Sequence, residues 1–307
     1  MTNSVTLRDV VLTVDVTRKR WLAFVALTKP RIIELLLVTT VPTMILADRG
    51  WPGLTLIINT VLGGTLAAGG ANAFNMYIDR DIDALMERTK GRPLVTGEVS
   101  PTEALVFASL IELVAFGWLW STVNLLSAVL AVSACAFYVF VYTIWLKRNS
   151  TQNIVIGGAA GAVPVLIGWS SVQNTVGWEA IILFAVIFFW TPPHFWALAI
   201  RYEDDYSTAA VPMMPVVEGH QRTTRQMVAY SLVVAILSIA LWPVGDMGWI
   251  YGIVSVVVSI AFVAKAVKLT LEPDPEVQSS MAISYFQFSI THLTILFAAV
   301  AADQLVL

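Results

Sequence analysis

Nine apolar runs, at about 32–48, 53–78, 102–121, 125–146, 153–172, 178–201, 224–243, 247–268 and 282–303, take up most of this chain. Each has the length at which an α-helix crosses a hydrocarbon layer, roughly 17–25 residues. In lipid every backbone N–H and C=O must find its partner inside the structure, and single runs of this kind achieve that as helices. The composition agrees, at 57% apolar and 13% charged residues, where a soluble domain has about a quarter charged. The expectation is an all-α membrane protein with nine transmembrane helices in residues 31–307, preceded by a cytoplasmic N-terminal segment, 1–30. In that segment only the part near Trp21 to Pro30 has the amphipathic character to lie along a membrane surface. The apolar piece from Val10 to Val14, interrupted by Asp15, is too short and too charged for a secretory signal.

The basic residues orient the bundle. With loops assigned alternately, one side receives Arg8, Arg18, Lys19, Arg20, Lys29, Arg31, Arg80, Arg88, Lys90, Arg92, Lys147, Arg148, Arg201, Arg222, Arg225, Lys265 and Lys268, leaving Arg49 alone opposite. Lys and Arg near short loops mark the cytoplasmic side. The N-terminus is therefore expected in the cytoplasm and Leu307 outside. A net charge of −3 does not suggest a nucleic-acid partner. The single cysteine, Cys135, excludes an internal disulfide and a CxxCH haem attachment, and reads as packing.

The most informative polar stretch is NAFNMYIDRDIDALMERTKGRP, Asn72 to Pro93. Asn75, Asp79 and Asp83 recur every four residues, so on a helix they form one row, which Asn72 extends by a turn. Stacked carboxylates repel by a few tenths of a kcal/mol, and a hard cation between them would reverse that. Mg²⁺ takes one or two carboxylates and completes its shell with water and substrate phosphate oxygens. Arg88, Lys90 and Arg92 follow at once, as donors suited to phosphate. The competing reading is a solvated helix end whose charges mark the membrane boundary.

Other polar groups have weaker claims. Glu34 reads as a boundary charge. Glu112, mid-helix, needs an interior partner or its proton. Tyr138 and Tyr142 lie one turn apart above Lys147 and Arg148, as core or facing a carbocation. Gly157 and Gly161 form a small-xxx-small packing signal. In TPPHFW, Pro192 and Pro193 break the helical ladder inside the membrane, and His194 follows. If that helix continues, Leu198, Arg201 and Asp205 share a stripe with His194, and the imidazole lies roughly 16 Å deeper than the acid. The imidazole either satisfies carbonyls freed by the prolines or acts on a ligand. The helix ends in RYEDDY, a second acidic cluster four helices after the first, which suggests two similar four-helix halves plus a ninth helix. His292 reads as a packing residue.

Asn75-x3-Asp79-x3-Asp83 followed by Arg88-Thr89-x2-Arg92-Pro93-Leu94 resembles the first aspartate-rich motif of the UbiA-type intramembrane prenyltransferases. The strings DRDIDALMERTKGRPLVTG, NIVIGGAAGAVPVLIGW, WTPPHFWALAIRYEDDY and AAVPMMPVV are similar to the haem-farnesylating branch of that family. The resemblance implies a UbiA-like bundle around a central cavity with a cytoplasmic active site in the cell (inner) membrane. It implies transfer of farnesyl from farnesyl diphosphate to a vinyl group of haem B, with Mg²⁺, and so haem B as substrate rather than permanent cofactor. Haem-handling or terminal-oxidase assembly proteins would be partners, together with the lipid bilayer. Catalytic positions carried over are Asn75, Asp79, Asp83, Arg88, Arg92 and His194, with metal at Asn75, Asp79, Asp83 and Asp205. Ligand-binding positions are Asn72, Lys90, Tyr138, Tyr142, Lys147, Arg148, Arg201, Asp204 and Tyr206. Where relatives have a second DxxxD, Tyr202 and Tyr206 flank Asp204 and Asp205, and Ala210 stands where a glycine is usual.

Two other functions fit the same features. A relative of the same superfamily would prenylate a quinone precursor or another aromatic acceptor. A haem transporter would place its ionisable groups and broken helices near the midplane, whereas here the acids collect at one interface.

Overall fold

A computed structural model describes residues 20–306, except the side chains of 31–37. The segment before Arg20, the Glu34 side chain and Leu307 lie outside the described residues. Among the described residues nine long helices follow one another: α1 Pro30–Asp48, α2 Leu54–Ile78, α3 Pro101–Thr122, α4 Leu125–Asn149, α5 Asn153–Gln173, α6 Trp178–Arg201, α7 Met214–Val244, α8 Trp249–Leu271 and α9 Pro275–Val306. From α2 to α9 each is long and apolar enough to cross a membrane, and α1 has its apolar stretch at Val38–Asp48. The protein is an all-helical, multi-pass membrane protein.

The helix boundaries have local causes. Ser100 and Glu103 form a reciprocal capping box before α3, with Pro101 at the first helical position. Asn124 accepts from the Ser127 amide at the start of α4, at 2.8 Å. At α8 the cap comes from another helix, since the Asp303 carboxylate on α9 accepts from the amides of Gly248 and Tyr251 at 2.6 and 3.0 Å. Helices α7 and α9 start well before their apolar windows, because polar turns extend them beyond the apolar run. In α7 the extension bends at Gly219, whose φ of 74° favours a residue without a Cβ.

Two expectations change. Pro192 and Pro193 withhold two N–H donors from the ladder, yet α6 continues through them from Trp178 to Arg201 as one helix. Gly157 makes room for a side chain rather than a helix backbone, as a Cβ there would meet the Tyr142 ring at 2.2 Å, while one at Gly161 would meet nothing within 4 Å.

Consecutive helices from α2 to α9 pack on one another, α1 lies against α5 and α9, and α6 also touches α9. The main core joins α5 to α9 around Trp190, Trp196, Phe262, Tyr285 and Phe297. A smaller core lies under helical residues 20–27, where Ala23 and Leu27 pack against Ala73, Met76 and Ala104 and leave Trp21 and Leu22 exposed. Leu113, Phe140 and Ile260 point outward, the surface expected where lipid tails are the solvent. Arg49 meets Glu179 and the Gly245 carbonyl at the opposite end of α2 from Asp79, in keeping with the lopsided distribution of basic residues.

Candidate active site

The row of Asn75, Asp79 and Asp83 survives a change of helix. Helix α2 ends at Ile78 and a short helix, Arg80–Leu85, takes over, yet the Asp79 amide bonds to the Asn75 carbonyl at 2.9 Å and the Asp83 amide to that of Asp79 at 2.8 Å. The four-residue period therefore continues, and all three side chains are buried while Asp81 is 61% exposed. The Thr89 hydroxyl donates to the Asp83 carbonyl at 2.9 Å and fastens the following loop beneath the row.

Each buried carboxylate has a counter-charge, from a distant segment for Asp79 and from nine residues further on for Asp83. Lys147 on α4 ion-pairs with Asp79, Arg92 donates to Asp83 at 2.6 Å, and Arg148 lies 3.7 Å from the other Asp79 oxygen. Asn75 donates to Asp79 at 2.8 Å and to the Thr143 hydroxyl at 3.1 Å, and its carbonyl oxygen accepts from Lys29 at 2.7 Å. Thr143 lies in a π-helical stretch of α4, Phe137–Leu146, a local form frequent at functional sites. Burial, followed by the charges of Arg92 and Lys147, lowers Lys29 from 10.5 to about 7. Outside the row, Arg148 grips Asp81 with two bonds of 2.8 Å and holds its carboxyl at about 2.

The second acidic segment joins through Arg88. Its guanidinium bonds the Tyr206 hydroxyl at 3.1 Å and lies over the rings of Tyr202 and Tyr206, 5.2 and 5.6 Å from their centroids. Its amide meets Asp205 at 3.4 Å. Tyr138 and Tyr142 stack at 5.3 Å.

Several expected residues lie elsewhere. Lys90 is exposed and pairs with Glu87. Asn72 donates to the Thr28 carbonyl at 2.9 Å, and so ties down the turn before Lys29. The stripe from His194 does not continue, because α6 ends at Arg201 and Tyr202 leaves helical geometry. Arg201 and Asp204 instead line a separate cleft of about 500 Å³ with Glu203, His220 and Glu276. A second cleft, about 270 Å³, lies between Asp81, Arg148 and Val211. Neither is lined by Asp79 or Asp83. Among the described residues no three His, Cys, Asp or Glu side chains gather as a metal cluster, so Asp205 is not drawn together with Asp79 and Asp83.

His194 is deeper and does not cap the carbonyls freed by the prolines. Its Nδ1 is 2.6 Å from the Ser289 hydroxyl of α9. Lys29, Thr143, Thr89 and Ser289 were not among the expected site residues. Only Lys29 had a local signal, a lysine and a proline immediately before the first apolar run.

The donor set suits Mg²⁺. It is made of hard oxygens, with two buried carboxylates and room in the coordination shell for diphosphate, and Asp79 Oδ1 is buried without a hydrogen-bond partner.

A helical bundle with a paired-aspartate, cation-rich end is suited to a metal-bound diphosphate head with its apolar tail in the bundle. The UbiA prenyltransferase family profile matches residues 36–291, and the chain belongs to that family. It is similar to a Protoheme IX farnesyltransferase of Parafrankia sp., 54% identical over 286 residues, 92% of this chain and 90% of the relative. The fold matches a digeranylgeranylglyceryl phosphate synthase with TM-score 0.77 at 16% identity, covering 94% of this chain and 100% of the other. It also matches a UbiA homolog from Archaeoglobus fulgidus bound to DMAPP and Mg²⁺, with TM-score 0.64 at 17% identity, covering 91% and 99%.

Proposed function

We propose that this prenyltransferase joins the farnesyl group of farnesyl diphosphate to a vinyl group of haem B, with addition of water, giving haem O and diphosphate. The observation that carries this reading is the buried Asp79–Asp83 pair, matched by Lys29, Arg92 and Lys147 at one end of an apolar bundle. Identity of 54% to a protein named for that reaction supports haem as acceptor over a quinone precursor or a transported haem.

Farnesyl diphosphate binds with its head at this end and its tail in the bundle. Asp79 and Asp83, beside Asn75, would hold Mg²⁺, which would supply positive charge against the diphosphate oxygens. Arg88, Arg92, Lys147 and Lys29 stabilise the charge that builds on the diphosphate as the allylic C–O electron pair leaves with it. Tyr138 and Tyr142 turn ring faces toward the electron-poor farnesyl carbon and exclude water from it. The terminal vinyl carbon of haem supplies the electron pair of the new C–C bond. Water then adds to the neighbouring carbon, next to the porphyrin ring, and releases a proton. The alternate-loop assignment of the basic residues, 17 to 1, supports this end as the cytoplasmic face of the cell membrane, with the N-terminus inside and the C-terminus outside.

Mass spectrometry of haem after incubating purified protein with haem B, farnesyl diphosphate and Mg²⁺ tests the reading. Haem O with stoichiometric diphosphate is the expected result. Unchanged haem together with prenylation of a supplied quinone precursor would overturn it.

A further inference from the structure

His194 is fixed in two independent ways. Its ring lies between Trp190, at 4.2 Å and 18°, and Phe286, at 4.4 Å and 23°. Two near-parallel neighbours set the plane of the imidazole. Rotation within that plane is set by one polar contact, 2.6 Å from Nδ1 to Ser289 Oγ. The same residue holds the wall of the sandwich, as Trp190 Nε1 donates to the Ser289 carbonyl at 3.0 Å.

The direction of the Nδ1 contact follows from hydrogen bookkeeping. A serine hydroxyl has one hydrogen to donate, and a carbonyl can only accept. Ser289 Oγ lies 2.6 Å from the Phe286 carbonyl and donates to it. Toward His194 the hydroxyl then offers a lone pair, so Nδ1 is the donor and carries the ring hydrogen. Nε2 is left with a lone pair, closed neither by a protein partner nor by complete burial, whereas both ring nitrogens of His292 are sealed without a partner. A neutral imidazole nitrogen with its opposite N–H held by a second group is a metal-ligand arrangement. Trp190 and Phe286 cover the two faces of the imidazole, and Phe195, at 5.4 Å and 88°, stands across its plane, as a porphyrin ligated through Nε2 would.

We propose that Ser289 is the positioning residue that holds His194 in its Nδ1–H tautomer and thereby presents Nε2 as the axial ligand of the acceptor haem iron. The haem part of this inference rests on the function proposed above, whereas the tautomer does not. The chain has three histidines, so ¹⁵N-histidine labelling of the full-length protein in bilayers gives spectra that His220→Gln and His292→Gln variants assign. Wild type should have His194 protonated at Nδ1, Ser289→Ala should populate the Nε2–H form, and Ser289→Thr should restore the wild-type state. In haem titrations followed at the Soret band, Ser289→Ala should shift the band and weaken binding about 10-fold, the lower end of outer-shell effects on metal sites, with farnesyl diphosphate binding unchanged and Ser289→Thr near wild type. An Nε2–H tautomer in wild type, or a wild-type spectrum in Ser289→Ala, would overturn the role of Ser289. An unaltered Soret band in His194→Ala would overturn the ligand assignment. Failure of the wild type to bind haem would count against the function instead, and the nitrogen shifts would still decide the tautomer.

Discussion

The ammonium group of Lys147 ion-pairs with the buried carboxylate of Asp79, 68 positions earlier in the chain. Helix α4 thus supplies the charge that lets α2 end in a buried acid. The neighbouring Arg148 makes its two short bonds to the exposed Asp81 and lies 3.7 Å from Asp79, so two consecutive basic residues divide the same acidic stretch unequally.

Removing Lys147 leaves the buried Asp79 carboxylate with the Asn75 amide and an Arg148 nitrogen 3.7 Å away, a loss of about 3 kcal/mol, the low end for a broken buried pair. Lys147→Met should lower the thermal midpoint in detergent strongly, and adding Asp79→Asn should recover part of it. Arg148→Met breaks a mainly solvent-exposed pair, typically worth ~1 kcal/mol or less. Equal loss from the two single variants would contradict the division of labour between them.

The row makes a graded prediction. Asp79→Asn and Asp83→Asn should each reduce turnover about 100-fold or more, since each removes charge that supports the leaving diphosphate. Asp81→Asn should stay within a few-fold. Steady-state rates of the three variants decide this, and similar losses at all three positions would refute the row.

Lys29 links the site to pH. Its folded value of about 7 is below its ordinary 10.5 because burial and then Arg92 and Lys147 disfavour the charge. Between those values the unfolded chain binds the extra proton, so Lys29 makes stability rise with pH across that window. An arriving diphosphate reverses the balance and favours the ammonium form. Calorimetry of farnesyl diphosphate binding at pH 8 in buffers of different ionisation enthalpy should detect proton uptake, and Lys29→Met should abolish it.

Glycine positions separate packing from open space. A Cβ at residue 157 would meet the Tyr142 ring at 2.2 Å, while one at residue 161 would meet nothing within 4 Å. Gly157→Ala should cost ~1–3 kcal/mol through overpacking and disturb the stacked tyrosines. Gly161→Ala should be nearly silent in both melting and turnover.

Orientation can be read with tags. A tag at the N-terminus or between Gly97 and Ser100 should be protected in intact cells, and one after Leu307 should be reachable from outside. Labelling of the N-terminal tag from outside would invert the assignment.

What the sequence alone determined is local or additive. The succession of long apolar helices follows from hydrophobic length, an expected orientation from the summed placement of basic residues, and the Asn75–Asp79–Asp83 row from a helical period that needs only the preceding four residues. Tertiary structure decided which charge meets which acid and which residues leave the site. Lys29 reaches Asn75 across 46 positions, Lys147 reaches Asp79 across 68, Arg88 reaches Tyr206 across 118 and His194 reaches Ser289 across 95. Such pairs depend on the rotation and depth at which two helices pack, which neither helix's own sequence specifies. The same reason sends Lys90, Arg201 and Asp204 away from the buried aspartates. Their residue type matched the chemistry, but the turn that carries Lys90 and the helix ends that carry Arg201 and Asp204 face solvent.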